Sequence, residues 1–496
     1  MGDRISMRDS DSTRSAARCA WIISAGLARN AVMWLAFLAV AGCVSAEFAA
    51  QDRVLHASTS QLTYQIGERR PELLRSSPVG DPFVVDAPIA EGRRENVCFR
   101  AAGDEECFPL GVSEAVSLRI EQGGTHRNVR VVGVLHVPAA RFSPEYQAAN
   151  RGRFQVLLPE VYELVNIGIA LTDYAAANPG LVATDTDYYS RAWAHFEPYR
   201  GHPFVQALSR GMQEDVFWYF RYKMNAFAFE FDAEGQIVRS VIYDRTGFYD
   251  EQTNDLLPLL TMLQDFAQDT DFRSFYQQNR PFYDEQVAFF ETDADAMTMW
   301  TWLMERFPNV RAYDGVKVVF SPLVGPNQSV TWIEEDGYRE LQPHINFPYT
   351  QRAELSAQAA AIARSEILFT EVNHGFINPT ADQYLADIEA ALGERSIWAD
   401  DSKSASNYPN ALSLFLEYMN WGLISLYEHD RMVEPDRGVS RARVVRVMVE
   451  RRGFKQFAAF DSFLVDLYAN RDVGETIADL YPRIIAWFAT QSVGAE

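Results

Sequence analysis

The spacing of apolar residues changes near residue 150, and this change most restricts the fold. Before it, apolar and polar residues alternate at 116–121 and 129–136 on either side of a Gly-Gly pair, which is typical of a β-hairpin. After it, residues 161–171 repeat with helical spacing. The sequence therefore predicts an α+β protein, with an antiparallel N-terminal β-domain at 43–150 and a mainly helical domain with a small sheet at 151–496.

Short strands are also predicted within the helical domain. Residues 226–231 and 237–242 have the pattern of a β-hairpin, and residues 316–321 and 329–333 are two strand-like stretches separated by turn residues. The stretch from 352 to 376 is the longest predicted helix. The small sheet is expected to lie before this helix in the chain.

The first 42 residues have the composition of an export signal. Five arginines precede the apolar run 31–40, and Ala41, Gly42 and Cys43 follow it. A basic stretch, a short apolar run and small residues form a signal peptide, and the run is shorter than the roughly 20 residues that span a bilayer. We expect cleavage before Cys43 and lipid attachment to that cysteine, with an uncleaved anchor helix as the alternative. Val44 favours the outer membrane, by resemblance to the sorting of Gram-negative lipoproteins, with the protein facing the periplasm or the cell exterior.

The charge of the chain excludes one class of partner. The formal charge is -22, and removal of residues 1–42 brings it near -24. Such an acidic surface repels phosphate backbones, so no nucleic-acid partner is expected. Nucleotide-binding glycine motifs and a serine-hydrolase Gly-x-Ser-x-Gly motif do not occur in the sequence.

Two cysteines remain once Cys19 is removed with the signal and Cys43 carries lipid. Cys98 and Cys107 are nine positions apart across a turn-like segment. In an oxidising compartment this spacing predicts a hairpin disulfide. A metal-binding pair is the poorer interpretation, because the spacing is long and no histidine lies close by.

The end of the long predicted helix contains the motif that can carry chemistry. Thr370 and His374 are four residues apart and share a helix face, and Glu371 is three residues before the histidine. In His-Glu-x-x-His zinc helices two histidines hold zinc and the glutamate activates its water. Here Thr370 takes the place of the first histidine.

The chain resembles a bacterial family, domain of unknown function 4932, which is regarded as zincin-like metallopeptidases. The resemblance covers about residues 155 to 490 and excludes the β-domain. It rests on five stretches, which lie at 159–172, 195–203, 318–325, 373–379 and 415–421.

The resemblance implies a membrane-anchored lipoprotein with a zincin-like metallopeptidase domain that acts on a peptide or envelope protein. It implies that His374 and Glu417 ligate zinc and that Glu371 is the general base. Tyr408 and Tyr418 lie near Glu417 in sequence, and the resemblance assigns them no role.

Thr370 departs from the family pattern, because a neutral hydroxyl is a poor zinc ligand beside an imidazole. Two compensations are open: Glu371 turns to ligate the metal, or His344, in a strand-like segment before the helix, supplies the missing ligand. The alternative function is that of a catalytically inactive pseudo-peptidase, which keeps the fold and binds a peptide or protein of the cell envelope.

Overall fold

A computed structural model describes residues 53–57, 62–67, 72–74, 83–101, 104–122, 125–246 and 253–493. The predicted signal peptide and Cys43 lie outside these residues. The α+β class is confirmed, because a region of strands precedes a mostly helical region. Among the helices so described, none combines the length and apolar character needed to cross a membrane.

Strands β1 to β8 form two four-stranded sheets in the N-terminal region. They are β1 (Arg53–His56), β2 (Thr63–Ile66), β3 (Glu72–Leu73), β4 (Phe83–Ile89), β5 (Arg94–Ala101), β6 (Asp104–Gly111), β7 (Ala115–Gln122) and β8 (Thr125–Leu135). One sheet has the order β1-β7-β8-β4 and the other β3-β2-β5-β6. Alternate residues such as Leu55, Phe99, Leu118 and Val131 form a shared apolar core, as alternating side chains in strands allow.

Pairing in the first sheet is mixed rather than wholly antiparallel. The predicted β7–β8 hairpin is antiparallel, whereas β1 pairs with β7 and β4 with β8 in parallel. Partners so far apart in the chain are joined by no tight turn, so the turn residues that predict hairpins do not reveal these pairs.

The second region contains most of the helices. Its first half holds α1 (Pro144–Asn150), β9 (Phe154–Leu157), α2 (Glu160–Ala170), α3 (Asp173–Ala177), α4 (Asp187–Phe196), α5 (Pro203–Glu214), α6 (Phe217–Asn225), β10 (Phe229–Phe231), β11 (Ile237–Arg239), α7 (Leu260–Asp269), α8 (Phe272–Ala288) and α9 (Ala296–Arg306). Its second half holds β12 (Gly315–Ser321), β13 (Ser329–Glu335), β14 (Tyr338–Asn346), α10 (Ala357–Arg364), α11 (Glu366–Ala381), α12 (Leu385–Leu392), α13 (Ala411–Arg431), α14 (Asp436–Arg446), α15 (Phe457–Ala469) and α16 (Ile477–Val493).

The small sheet has the order β13-β14-β12-β9 and positions the candidate site. β9, β12 and β14 run parallel, and β13 pairs with β14 as an antiparallel hairpin. The hairpin turns at Asp336 and Gly337, whose φ angles of 51° and 74° are those of a tight type I′ turn. α2 contacts β12, and α11 contacts β14.

The β13–β14 turn also makes hydrogen bonds to residues 136–142, the segment that connects the two regions. The Glu335 carboxylate lies 3.0 Å from His136 Nε2 and accepts a hydrogen bond from the Ala139 amide at 3.1 Å. The Asp336 carboxylate accepts one from the Phe142 amide at 2.8 Å. The N-terminal region is therefore attached to the sheet that lies beside α11.

Candidate functional site

The candidate site lies where α11 contacts α13. The predicted helix from 352 to 376 is two helices, because the chain breaks at Ser365, whose hydroxyl donates to the carbonyl of Ile362. Thr370 and His374 lie on the second of them, α11. The Asn373 side chain donates to the carbonyl of Asn420 at 3.1 Å, which ties α11 to α13.

Both ring nitrogens of His374 contact asparagine side chains. Nδ1 lies 3.1 Å from Asn378 Oδ1, one turn later on α11, and Nε2 lies 3.0 Å from Asn420 Nδ2 on α13. This pairing fits a neutral imidazole that donates from Nδ1 and accepts at Nε2. The Nε2 lone pair is therefore used within the protein.

Glu371 is buried beside the histidine. Burial raises the pKa of its carboxyl, and the Glu417 carboxylate acts in the same direction, whereas His374 and Lys223 oppose the rise; the net pKa is about 7. The Thr370 hydroxyl donates to the carbonyl of Ile367 at 2.8 Å and lies 3.5 Å from the Glu371 carboxylate. The Thr370 hydroxyl is therefore hydrogen-bonded to the backbone of α11.

Glu417 is bound by an arginine rather than being free for a metal. Its Oε1 lies 2.5 Å from Arg452 Nη1 and accepts a hydrogen bond from Trp421 Nε1 at 2.9 Å. Arg452 also donates from Nη2 to the Tyr408 hydroxyl at 2.7 Å, and its guanidinium lies 4.9 Å from the centre of the Trp421 ring. The Tyr418 hydroxyl donates to the carbonyl of Trp398.

The predicted zinc ligands are near enough to affect the pKa of Glu371, but their ligand atoms are not gathered at one point. Within the part of the chain that the structure describes, one trio of His, Cys, Asp or Glu has ligand atoms that all lie within 4.8 Å of one another, and it consists of Cys98, Glu105 and Cys107. Glu371, His374 and Glu417 do not form such a trio. Both ring nitrogens of His374 and the Oε1 atom of Glu417 already contact other side chains. The residues present therefore do not fit the catalytic zinc that the family resemblance implies, since such a zinc needs three protein ligands.

His344, the alternative source of the third ligand, belongs to no such trio among the described residues either. It lies on β14, fully buried, with its ring centre 5.7 Å from that of Tyr162. Burial and, to a smaller extent, the charge of Lys223 lower the pKa of His344 to about 3, so the ring is neutral. The ring lies among aromatic side chains, and neither of its nitrogens has a hydrogen-bond partner among the described residues.

Lys223 and Arg452 were missed from the sequence. Lys223 is fully buried on α6, and its Nζ donates to the carbonyl of Asn327 at 2.6 Å. Burial lowers the pKa of Lys223 to about 7, and the charge of Glu371 opposes this. No local signal marks either residue, because each acts on a residue far away in the chain.

The chain was compared with protein-family models, with curated proteins and with solved structures, and no match was found in any of the three.

Proposed function

We propose that the chain is an exported bacterial lipoprotein, tethered through Cys43, whose zincin-like region binds a peptide or an envelope protein without hydrolysing it. The signal-peptide pattern and the lipobox-like Ala41-Gly42-Cys43 support the tether. The hairpin cysteines, which are joined by a disulfide, are consistent with an oxidising compartment.

One observation carries the non-catalytic assignment: both His374 nitrogens and one Glu417 carboxylate oxygen already contact other side chains. Glu417 is paired with Arg452, and His374 is held between Asn378 and Asn420. Thr370 adds no strong donor. Zinc binding through His374 and Glu417 would require the ion pair to be broken, which is costly for charges with little solvent around them.

Strand β13 offers a surface on which a peptide can bind. It is an outer strand of its sheet, so β14 pairs with one of its edges and no other described strand pairs with the second. Trp332, in the middle of β13, has 48 % of its surface exposed. An unpaired edge supplies main-chain hydrogen bonds to an extended peptide, and a large exposed aromatic residue supplies apolar contact.

A photo-reactive amino acid in place of Trp332 should trap the partner in intact cells. We expect a light-dependent adduct of discrete mass in the membrane fraction, because the proposed tether holds the protein there. The same amino acid in place of Met297, an exposed apolar residue on α9, is the control and should give no such adduct. Equal adducts from both positions, or none from Trp332, would contradict the β13 surface.

The tether has its own test. Cys43→Ala should prevent cleavage of the signal peptide, so a Cys43→Ala chain of the same size as the wild-type chain would contradict lipoprotein processing.

Elemental analysis of the purified chain tests the absence of catalytic zinc. We expect far less than one zinc per wild-type chain, and a gain of zinc in Thr370→His, because this change restores the first histidine of the motif, on the same helix face as His374. Thr380→His, another buried position on α11, should gain none. Stoichiometric zinc in the wild-type chain that is lost in His374→Ala would overturn the proposal, and a Thr370→His chain without zinc would contradict a zincin-like site.

A metallopeptidase is the second candidate, and the buried carboxyl of Glu371 favours it. A pKa of about 7 is suited to a general base that works near neutral pH. The zinc measurement separates the two candidates, since hydrolysis by the family mechanism requires a metal that the wild-type chain retains.

A further inference from the structure

The hairpin of β5 and β6 brings three potential metal ligands together. Cys98 and Cys107 are directly opposite each other on the paired strands and are joined by a disulfide. Glu105 lies two residues before Cys107, on the same face of β6. The two sulfurs and a Glu105 oxygen lie within 4.8 Å of one another. In the sequence, the long cysteine spacing and the lack of a nearby histidine argued against a metal; in the structure the two sulfurs are adjacent, and Glu105 supplies a third ligand atom.

The three groups are accessible from solvent. Glu105 and Cys107 are exposed, and Cys98 is half-buried. The Glu105 carboxylate accepts a hydrogen bond from Arg100 Nε at 2.7 Å, and the two side chains are 47 % and 41 % exposed. An exposed ion pair contributes little free energy. Glu105 can therefore exchange Arg100 for a stronger cation.

We propose that reduction of the Cys98–Cys107 disulfide turns this hairpin into a zinc site, with two thiolates and the Glu105 carboxylate as ligands. A dithiol reductant gives two electrons and two protons, the sulfur–sulfur bond breaks, and the reductant leaves as its own disulfide. Zinc then displaces the two thiol protons. Water completes the tetrahedral site.

The hairpin geometry suits this change. Two sulfurs bound to tetrahedral zinc at about 2.3 Å each lie about 3.8 Å apart, and opposite Cβ atoms of an antiparallel pair are about 4.5–5.5 Å apart without any disulfide. The ladder continues on both sides of the cysteines, through Asn96 with Pro109 and Arg100 with Glu105. Side-chain rotation alone can therefore open the disulfide and place both sulfurs around one ion.

Zinc titration of the full chain before and after reduction tests the site. The chain is reduced with a dithiol, freed of reductant without air, and titrated with zinc against a chromogenic chelator. We expect one additional zinc after reduction, none in Cys98→Ser/Cys107→Ser, and at least tenfold weaker binding in Glu105→Gln. Glu106→Gln, on the opposite face of β6, should bind like the wild-type chain. Cobalt in place of zinc should give thiolate-to-metal absorption in the reduced wild-type chain and in the two reduced glutamate variants. It should give none in the oxidised chain or in Cys98→Ser/Cys107→Ser.

Two outcomes would overturn the proposal. The first is a reduced chain that binds no more zinc than Cys98→Ser/Cys107→Ser. The second is Glu105→Gln binding as tightly as the wild-type chain, which would leave only two protein ligands. Neither outcome depends on the helical region, because only zinc binding that appears on reduction is counted.

Discussion

Arg452→Ala should lower the free energy of unfolding by about 3 kcal/mol, because it leaves the Glu417 carboxylate with little solvent and no counter-charge. The Glu417 side chain is 6 % exposed and that of Arg452 19 %, so water can replace the arginine only in part. The substitution also removes the guanidinium from its contacts with Tyr408 and Trp421. Urea unfolding followed by circular dichroism measures the change.

Arg451→Ala is the matched control, since Arg451 is the preceding residue and is exposed. We expect it to change the free energy of unfolding by less than about 0.5 kcal/mol. Glu417→Gln should also destabilise the protein, and Glu417→Gln combined with Arg452→Ala should cost less than the sum of the two single changes, because neither charge is then left alone. Additive costs would show that the two side chains are not coupled.

The Glu417–Arg452 pair links stability to the proposed loss of activity. In a zinc enzyme the metal supplies the positive charge beside the ligating carboxylates. Here Arg452 supplies a positive charge to Glu417 from within the protein. Under the proposed function, Thr370 replaces a strong zinc ligand, and Glu417 then needs another cation to stay buried.

The sequence was sufficient for the features that depend on neighbouring residues. Alternation predicted the β7–β8 hairpin, and spacing predicted that Thr370, Glu371 and His374 share part of one helix. These features follow from the period of a strand or a helix, which any local stretch displays. The α+β class follows from the same local patterns.

The features that depend on distant contacts were not predictable. Arg452 is 35 positions beyond Glu417 and follows another arginine, so its sequence context is that of an exposed basic pair. The parallel pairing of β1 with β7 joins strands that five others separate in the chain. The contacts of His374 with Asn420 likewise require two helices to be placed side by side, and residue spacing on one helix does not determine its neighbour.

A second cluster of buried charge should make stability depend on pH. Glu428, on α13, is 1 % exposed, and its carboxyl accepts a hydrogen bond from the Ser440 hydroxyl at 2.6 Å. Burial and, to a smaller extent, the nearby carboxylate of Glu366 raise the pKa of Glu428 to about 8. Arg443 pairs with Glu366, and its charge lowers the pKa of Glu428 less than burial raises it.

Glu428→Gln should therefore become more stabilising, relative to the wild-type chain, as the pH rises. The folded protein holds the Glu428 proton more tightly than the unfolded chain, whose carboxyl has an ordinary pKa near 4.5. The stabilising contribution of that proton is full below pH 4.5 and is lost as the pH rises to about 8. In this range the free energy of unfolding of the wild-type chain falls by at most about 1.4 kcal/mol per pH unit because of Glu428. Glutamine resembles the protonated acid and does not titrate, so Glu428→Gln lacks this dependence on pH.

Urea unfolding of both chains between pH 5 and pH 9 measures this difference. Glu450→Gln, at an exposed position on the segment after α14, is the control and should follow the wild-type chain at every pH. We expect the stability of Glu428→Gln relative to wild type to rise with pH up to about 8 and then to level off, because Glu428 is ionised in both states above that pH. A difference that does not change with pH would mean that Glu428 is already ionised in the folded protein, with Arg443 shared between it and Glu366.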